Sequence, residues 1–182
     1  MRITMQQSFP RSPHRKKNRL PEYDYSQVGY YFVTICTKDR ECYFGKIKNG
    51  KMNLNEIGKL SRKYWKEIPK HFPFVELDEY VVMPNHIHGI IIIDNDNNVG
   101  DNHGCPLQNR NMELLPKIIS QYKSSVTRQI RKQFDYYIFA WQKSFYDHII
   151  RNEKSLFKIQ NYIIYNPLKW DLEKNNIENL LI

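Results

Sequence analysis

Cysteine is scarce in this chain of 182 residues: Cys36, Cys42 and Cys105 are all it has. An odd number with no Cys-x-x-Cys spacing excludes a disulfide framework and a zinc knuckle, leaving reduced, packed or incidental thiols. Apolar runs are short as well. No stretch approaches the ~20 residues that span a bilayer, and the N-terminus lacks the apolar core of a secretory signal. No membrane association is therefore expected, and the cytoplasm is the expected compartment. No complete G-x-x-x-x-G-K-S/T nucleotide-binding loop occurs. Negative charge is in deficit: 28 Lys and Arg face 19 Asp and Glu, a formal net charge of +9. Such a balance points to a polyanionic partner, and nucleic acid fits it once a membrane is set aside.

The length suits one domain with its own core. Residues 1–22 form a basic arm in which Arg2, Arg11, Arg15, Lys16, Lys17 and Arg19 face a single acid, Glu22. It reads either as a solvated tail or as an arm that grips phosphates. Residues 23–182 read as one domain. YYFVTICT at 30–37 is rich in β-branched and aromatic residues and predicts a strand. Asn49-Gly50 predicts a hairpin between YFGKI and KMNLN, because Asn-Gly supplies the positive φ such turns need. Asn55 can cap a helix running to about Pro69, with Ile57, Leu60, Tyr64, Trp65 and Ile68 on its buried face.

Strands follow at 74–83 and 86–93, joined by a turn at Pro84-Asn85. Residues 94–111 are polar and rich in Asn, Asp and Gly, a surface loop. A helix over 112–134 has a buried stripe of Ile118, Ile119, Tyr122, Val126 and Ile130. Lys117, Lys123, Arg128, Arg131 and Lys132 decorate it with no acid among them. After a short segment, FAWQKSFYDHII, a last helix is expected from about Asn152 to Asn166-Pro167, because the residue before a proline avoids the helical region. Strands mixed with helices, joined partly by hairpins, indicate an α+β layered domain.

The stretch PNHIHGIIII at 84–93 is the most informative. Residues two apart on a strand share a face, so His86 and His88 project side by side. Ile90 and Ile92 continue that face, and Ile87, Ile91 and Ile93 occupy the other. With both faces apolar, the strand is expected to be central and covered on both sides. Two imidazoles at this spacing can share one metal ion, or can simply be two satisfied histidines at a strand end. No downstream Glu and His pattern of the cupin kind follows, so a third ligand has to come from elsewhere. On the last helix Leu156, Ile159 and Ile163 define a core face, Tyr162 lies at its margin, and Asn166 stands one turn further on the same side.

PNHIHGIIII resembles the His-hydrophobe-His (HUH) motif of the single-tyrosine transposases that move DNA as single strands. RLPEYDYSQVGYYFVTICTKDRECYFG, YVVMPNHIHGI and WQKSFYDHIIRNEKSLFKIQNYIIYNPLKW resemble, in this order, the REP-associated tyrosine transposases. The likeness runs from about Arg19 to Trp170. It implies a central antiparallel sheet flanked by helices in a ferredoxin-like core. It further implies that His86 and His88 bind a divalent metal, Mg²⁺ or Mn²⁺, with Asn166 as third ligand. Tyr162 matches the nucleophile, and Tyr165, three residues on, is its rival.

The implied reaction is cleavage and rejoining of single-stranded DNA through a 5′-phosphotyrosine. The implied substrate is a palindromic hairpin with a short recognition sequence beside its stem, met at the nucleoid by a monomer or homodimer. Arg11, Arg15, Lys16, Lys17 and Arg19 of the arm, with Lys123, Arg128, Arg131 and Lys132, are the candidate phosphate contacts. Trp141 and some of the 13 tyrosines are candidate stacking platforms. Two other classes stay open: a hairpin-binding regulator that does not cut, and a metal hydrolase of small phosphates.

Overall fold

The computed structural model describes residues 27–94 and 114–174. The arm at 1–22 and the polar loop beyond Asp94 lie outside them. Four strands form one antiparallel sheet: β1 (Gly29–Cys36), β4 (Val75–Val82), β5 (His86–Ile93) and β6 (Tyr146–Ile150), in the order β4-β5-β1-β6. The chain passes from β1 through a helix to β4, leaving room for β5 between them, then through a second helix to β6 on the far side of β1. This split arrangement is the ferredoxin-like one.

Inserted after β1 is the hairpin of β2 (Gly45–Lys48) and β3 (Lys51–Leu54). Its turn has positive φ at Asn49 (53°) and Gly50 (68°), as the Asn-Gly pair predicts. Gly45 to Lys51 coincides with the first positions of a phosphate-binding loop. Met52 stands where the hydroxyl is needed, and the segment is this hairpin.

β5 is central, paired with β1 on one side and β4 on the other. Its two faces divide the core as alternation requires. Ile87, Ile91 and Ile93 join the larger cluster under α1 (Glu56–Lys66) and α3 (Leu114–Phe134). Ile90 and Ile92 meet Phe32, Ile150 and the Leu156, Ile159 and Ile163 stripe of α4 (Glu153–Lys174). The histidine face is therefore the α4 face. Gly89 has a packing reason: a Cβ there would lie 2.3 Å from Cζ2 of the fully buried Trp65. All five stripe residues expected on α3 are buried, and Tyr122 shares a 2.6 Å hydrogen bond with Ser61 of α1.

Two expectations need correction, and one segment left without an element gains a strand. The helix capped by Asn55 ends at Lys66, and Pro69 sits instead in the first turn of a separate short helix, α2 (Ile68–His71). A proline there lacks only an N–H that has no helical partner anyway. The segment at 139–150 contains a strand, β6, whose short span hid its alternation. Most consequentially, α4 does not stop at Asn166-Pro167 but continues to Lys174. Pro167 leaves the Ile163 carbonyl without its helical donor, and tertiary contacts offset that cost. Pro167 is buried, the Gly50 N–H donates to Asp171 Oδ2 at 2.8 Å, and Leu168 packs against Gly50. The β2–β3 hairpin thus clamps the extension that a local rule would forbid.

Candidate active site

His86 and His88 open β5, both buried at 5% and 6% exposure. Their Nε2 atoms converge to 3.0 Å. Each ring is held from behind. His86 Nδ1 lies 2.6 Å from Asn85 Oδ1, and the Asn85 amide nitrogen donates to the Arg40 carbonyl at 2.9 Å. With Asn85 oriented that way, its oxygen accepts and His86 carries its proton on Nδ1. His88 Nδ1 lies 2.8 Å from Thr34 Oγ1, whose β1 backbone is the register partner of His88. A hydroxyl can accept there as well, which leaves both Nε2 lone pairs aimed at one point.

Burial, aided by the nearby Arg40 cation, lowers the His86 pKa to about 4. Burial, then His86 and Arg40, lower that of His88 to about 3. Both imidazoles are neutral at pH 7, the form that ligates a metal. Metal–nitrogen distances of roughly 2.0–2.1 Å at about a right angle place two ligand nitrogens about 3 Å apart, so the pair fits a shared divalent ion.

The last helix supplies the rest. Tyr162 of α4 brings its hydroxyl to 3.3 Å from His88 Nε2. Its ring meets His88 edge-on at 5.2 Å, and Phe32 stacks beneath His88 at 5.4 Å. Asn166, one turn on, is 7% exposed and lines the same cavity of about 300 Å³ as Thr34, Arg40, both histidines and Tyr162. Because α4 runs on, Asn166 is mid-helix and held, and its amide oxygen suits a harder divalent cation beside two imidazoles. Tyr162 is 42% exposed, open to a macromolecular substrate, while Tyr165 is 60% exposed and does not line the cavity.

Several contributors were not foreseen. Asn85 read only as a turn residue, although its place next to His86 was the available signal. Thr34 could be found only through the β1–β5 register. Lys169, Trp170 and Glu173 line the cavity on the extension past Pro167, with Trp170 5.8 Å from His86 between ring centres. The expected stop at the proline hid them. Arg40 had no signal at all.

The basic candidates divide. Arg11, Arg15, Lys16, Lys17 and Arg19 lie outside the described residues. Arg128, Arg131 and Lys132 are exposed on α3, across the sheet from the histidine face. Arg128 and Arg131 line a groove of about 660 Å³ with Thr127 and Lys143. Lys123 also borders it, but its ammonium donates to the Gln142 carbonyl at 2.6 Å, and burial lowers its pKa. Lys123 therefore holds the 141–145 segment to α3. Trp141, expected as a platform, is packed among Phe44, Tyr122 and Phe139 and donates to the Lys123 carbonyl. No described helix is long and apolar enough to cross a membrane.

No protein-family model matches the chain. An uncharacterised protein of Haemophilus influenzae is 41% identical over 169 residues, 88% of this chain and 92% of its own length. Among solved structures, that of a REP-associated tyrosine transposase bound to a REP hairpin is similar with a TM-score of 0.48 at 20% identity, covering 87% of this chain and 73% of that one. A structure from Deinococcus radiodurans that bears the name of a transposase gives 0.44 at 18% identity, covering 84% and 98%. A second Haemophilus influenzae protein, which bears the name of a REP-associated tyrosine transposase, is 30% identical over 147 residues, 80% of this chain and 74% of that protein. That relative settles the family: the chain belongs to the REP-associated tyrosine transposases.

Proposed function

We propose that this transposase cleaves and rejoins single-stranded DNA beside a palindromic hairpin, with Tyr162 as nucleophile. The Tyr162 oxygen attacks phosphorus, the bond to the 3′-oxygen breaks, and the products are a 5′-phosphotyrosyl link and a free 3′-hydroxyl. The link conserves the phosphodiester's energy, so rejoining needs no ATP. The observation that carries this reading is the convergence of the Tyr162 hydroxyl on His88 Nε2 at 3.3 Å, inside a cavity shared with His86 and Asn166.

His86, His88 and Asn166 are the side chains that would hold Mg²⁺ or Mn²⁺. Such an ion, when bound, neutralises phosphate charge and stabilises the departing 3′-oxygen. Phe32 and the Ile159–Ile163 face of α4 keep the tyrosine ring in register with the histidines. On the opposite face, Arg128, Arg131, Lys132 and Lys143 offer phosphate contacts that give affinity without reading sequence.

Family membership favours repeat hairpins as substrate and the nucleoid as the place of action. Incubation with end-labelled hairpin DNA and Mn²⁺, followed by a denaturing gel, tests the reading. A protein–DNA adduct is expected. A protein that only binds hairpins, or a hydrolase that activates water, would give none.

A further inference from the structure

Between β1 and the hairpin the chain makes a single turn, Lys38–Arg40, with an unusual backbone. Asp39 has φ 54° and Arg40 has φ 58°, two consecutive residues other than glycine in the left-handed region. A side chain with a Cβ is strained in that region, and the position persists only where its surroundings over-determine it. Here they do. The Asn85 side chain donates to the Arg40 carbonyl at 2.9 Å, the Arg40 N–H donates to the Thr37 carbonyl at 3.3 Å, and the fully buried Thr37 hydroxyl lies 2.8 Å from the Glu41 carbonyl. Asn85 is also the residue that orients His86. One amide therefore sets both an imidazole and the start of the Arg40 side chain.

The outcome of this bracing is that Arg40 lines the cavity of His86, His88, Tyr162 and Asn166. The cavity's other cation, Lys169, has Glu173 at 3.5 Å. Arg40 has no ion pair among the described residues and is exposed to solvent. A guanidinium offers a planar fork of donors matched to two oxygens of a phosphate, a geometry a lysine cannot reproduce. We propose that Arg40 grips the non-bridging oxygens of the phosphodiester presented to Tyr162, with Asn85 as the positioning residue that couples this grip to the histidine pair. The proposal rests on the cleavage reading for the identity of that phosphodiester, but the contact itself can be read without cleavage.

The test uses full-length protein carrying Tyr162→Phe and a single-stranded DNA with a palindromic hairpin and flanking single strand. One linkage at a time is replaced by a neutral methylphosphonate, and binding is measured for each. At one linkage the replacement is expected to weaken binding by about tenfold, the scale of a charge-assisted pair. Adding Arg40→Gln should abolish that penalty at this linkage and leave the others unchanged. Arg40→Gly, which suits the left-handed backbone, should do the same, and Arg40→Lys should keep part of it. Penalties that are identical with and without Arg40, or a uniform loss at every linkage, overturn the proposal and reduce the turn to a structural element. Mapping the adduct formed by the wild-type protein should identify the same linkage. If the wild-type protein forms no adduct, the cleavage reading fails, and the scan still decides whether Arg40 holds a phosphate.

Discussion

Thr34 Oγ1 stands 2.8 Å from His88 Nδ1, on the strand paired with β5 and directly opposite the histidine it serves. This contact fixes the ring so that Nε2 faces the cavity. Thr34→Val keeps the shape and removes the partner. It should lower Mn²⁺ affinity about 10–100-fold, the usual effect of losing the group that orients a ligating histidine, with little change in thermal stability. Calorimetric titration with Mn²⁺ checks this, and an unchanged affinity would show that Thr34 only packs.

The depressed histidine pKa values give a pH dependence of definite sign. Free imidazole titrates at 6.5, whereas His86 and His88 in the fold titrate at about 4 and about 3. Between these values the unfolded chain binds more protons than the folded one, so stability must fall as pH falls. The contribution is complete above pH 6.5 and declines by roughly 1.4 kcal/mol per pH unit per histidine until the folded rings protonate. Urea unfolding at pH 7, 6 and 5 should show a steeper decline for wild type than for a His86→Gln/His88→Gln variant. Parallel declines would mean that the rings are not buried as neutral bases.

Gly89 follows the second histidine because Trp65 needs its space. Gly89→Ala should destabilise the protein by about 1–3 kcal/mol, the range for overpacking a filled core. Thermal or chemical unfolding measures it, and a neutral result would mean that Trp65 moves aside freely.

The lysines and arginines of α3 should separate by experiment. Neutralising Arg128, Arg131 and Lys132 is expected to weaken hairpin binding and flatten its salt dependence, because fewer counterions are released. Lys123→Met should instead loosen the 141–145 segment, since it removes the donor to the Gln142 carbonyl. Its signature is lost stability with the salt slope nearly intact. An unchanged slope in the triple variant would move the DNA track off α3.

The central strand and its two-sided burial were legible because alternation along HIHGIIII is a local property. The cap at Asn55 was legible for the same reason: it accepts a backbone N–H of the first turn, from Gly58. The pairing of Thr34 with His88 was not legible, because register is set across 54 positions of sequence. Nor was the run of α4 past Pro167. The rule about the residue before proline is local, and the hairpin contacts that override it come from Gly50, 121 positions away in sequence from Asp171. The same override explains why Tyr162 and Asn166 could be placed on one helical face beforehand, while Trp170 and Glu173 could not. Arg40 reaches the site through a left-handed turn that its sequence, Lys-Asp-Arg, does not announce.

The convergence of Tyr162 on the histidine pair is the claim on which the rest depends, and Tyr162→Phe addresses it most directly. That change keeps a ring that packs against Phe32 and His88 and removes only the hydroxyl. With labelled hairpin DNA and Mn²⁺, the variant is expected to bind about as well as wild type and to form no covalent adduct, while Tyr165→Phe retains adduct formation. A Tyr162→Phe protein that still traps DNA would contradict the account, and loss of the adduct in Tyr165→Phe alone would transfer the nucleophile to Tyr165.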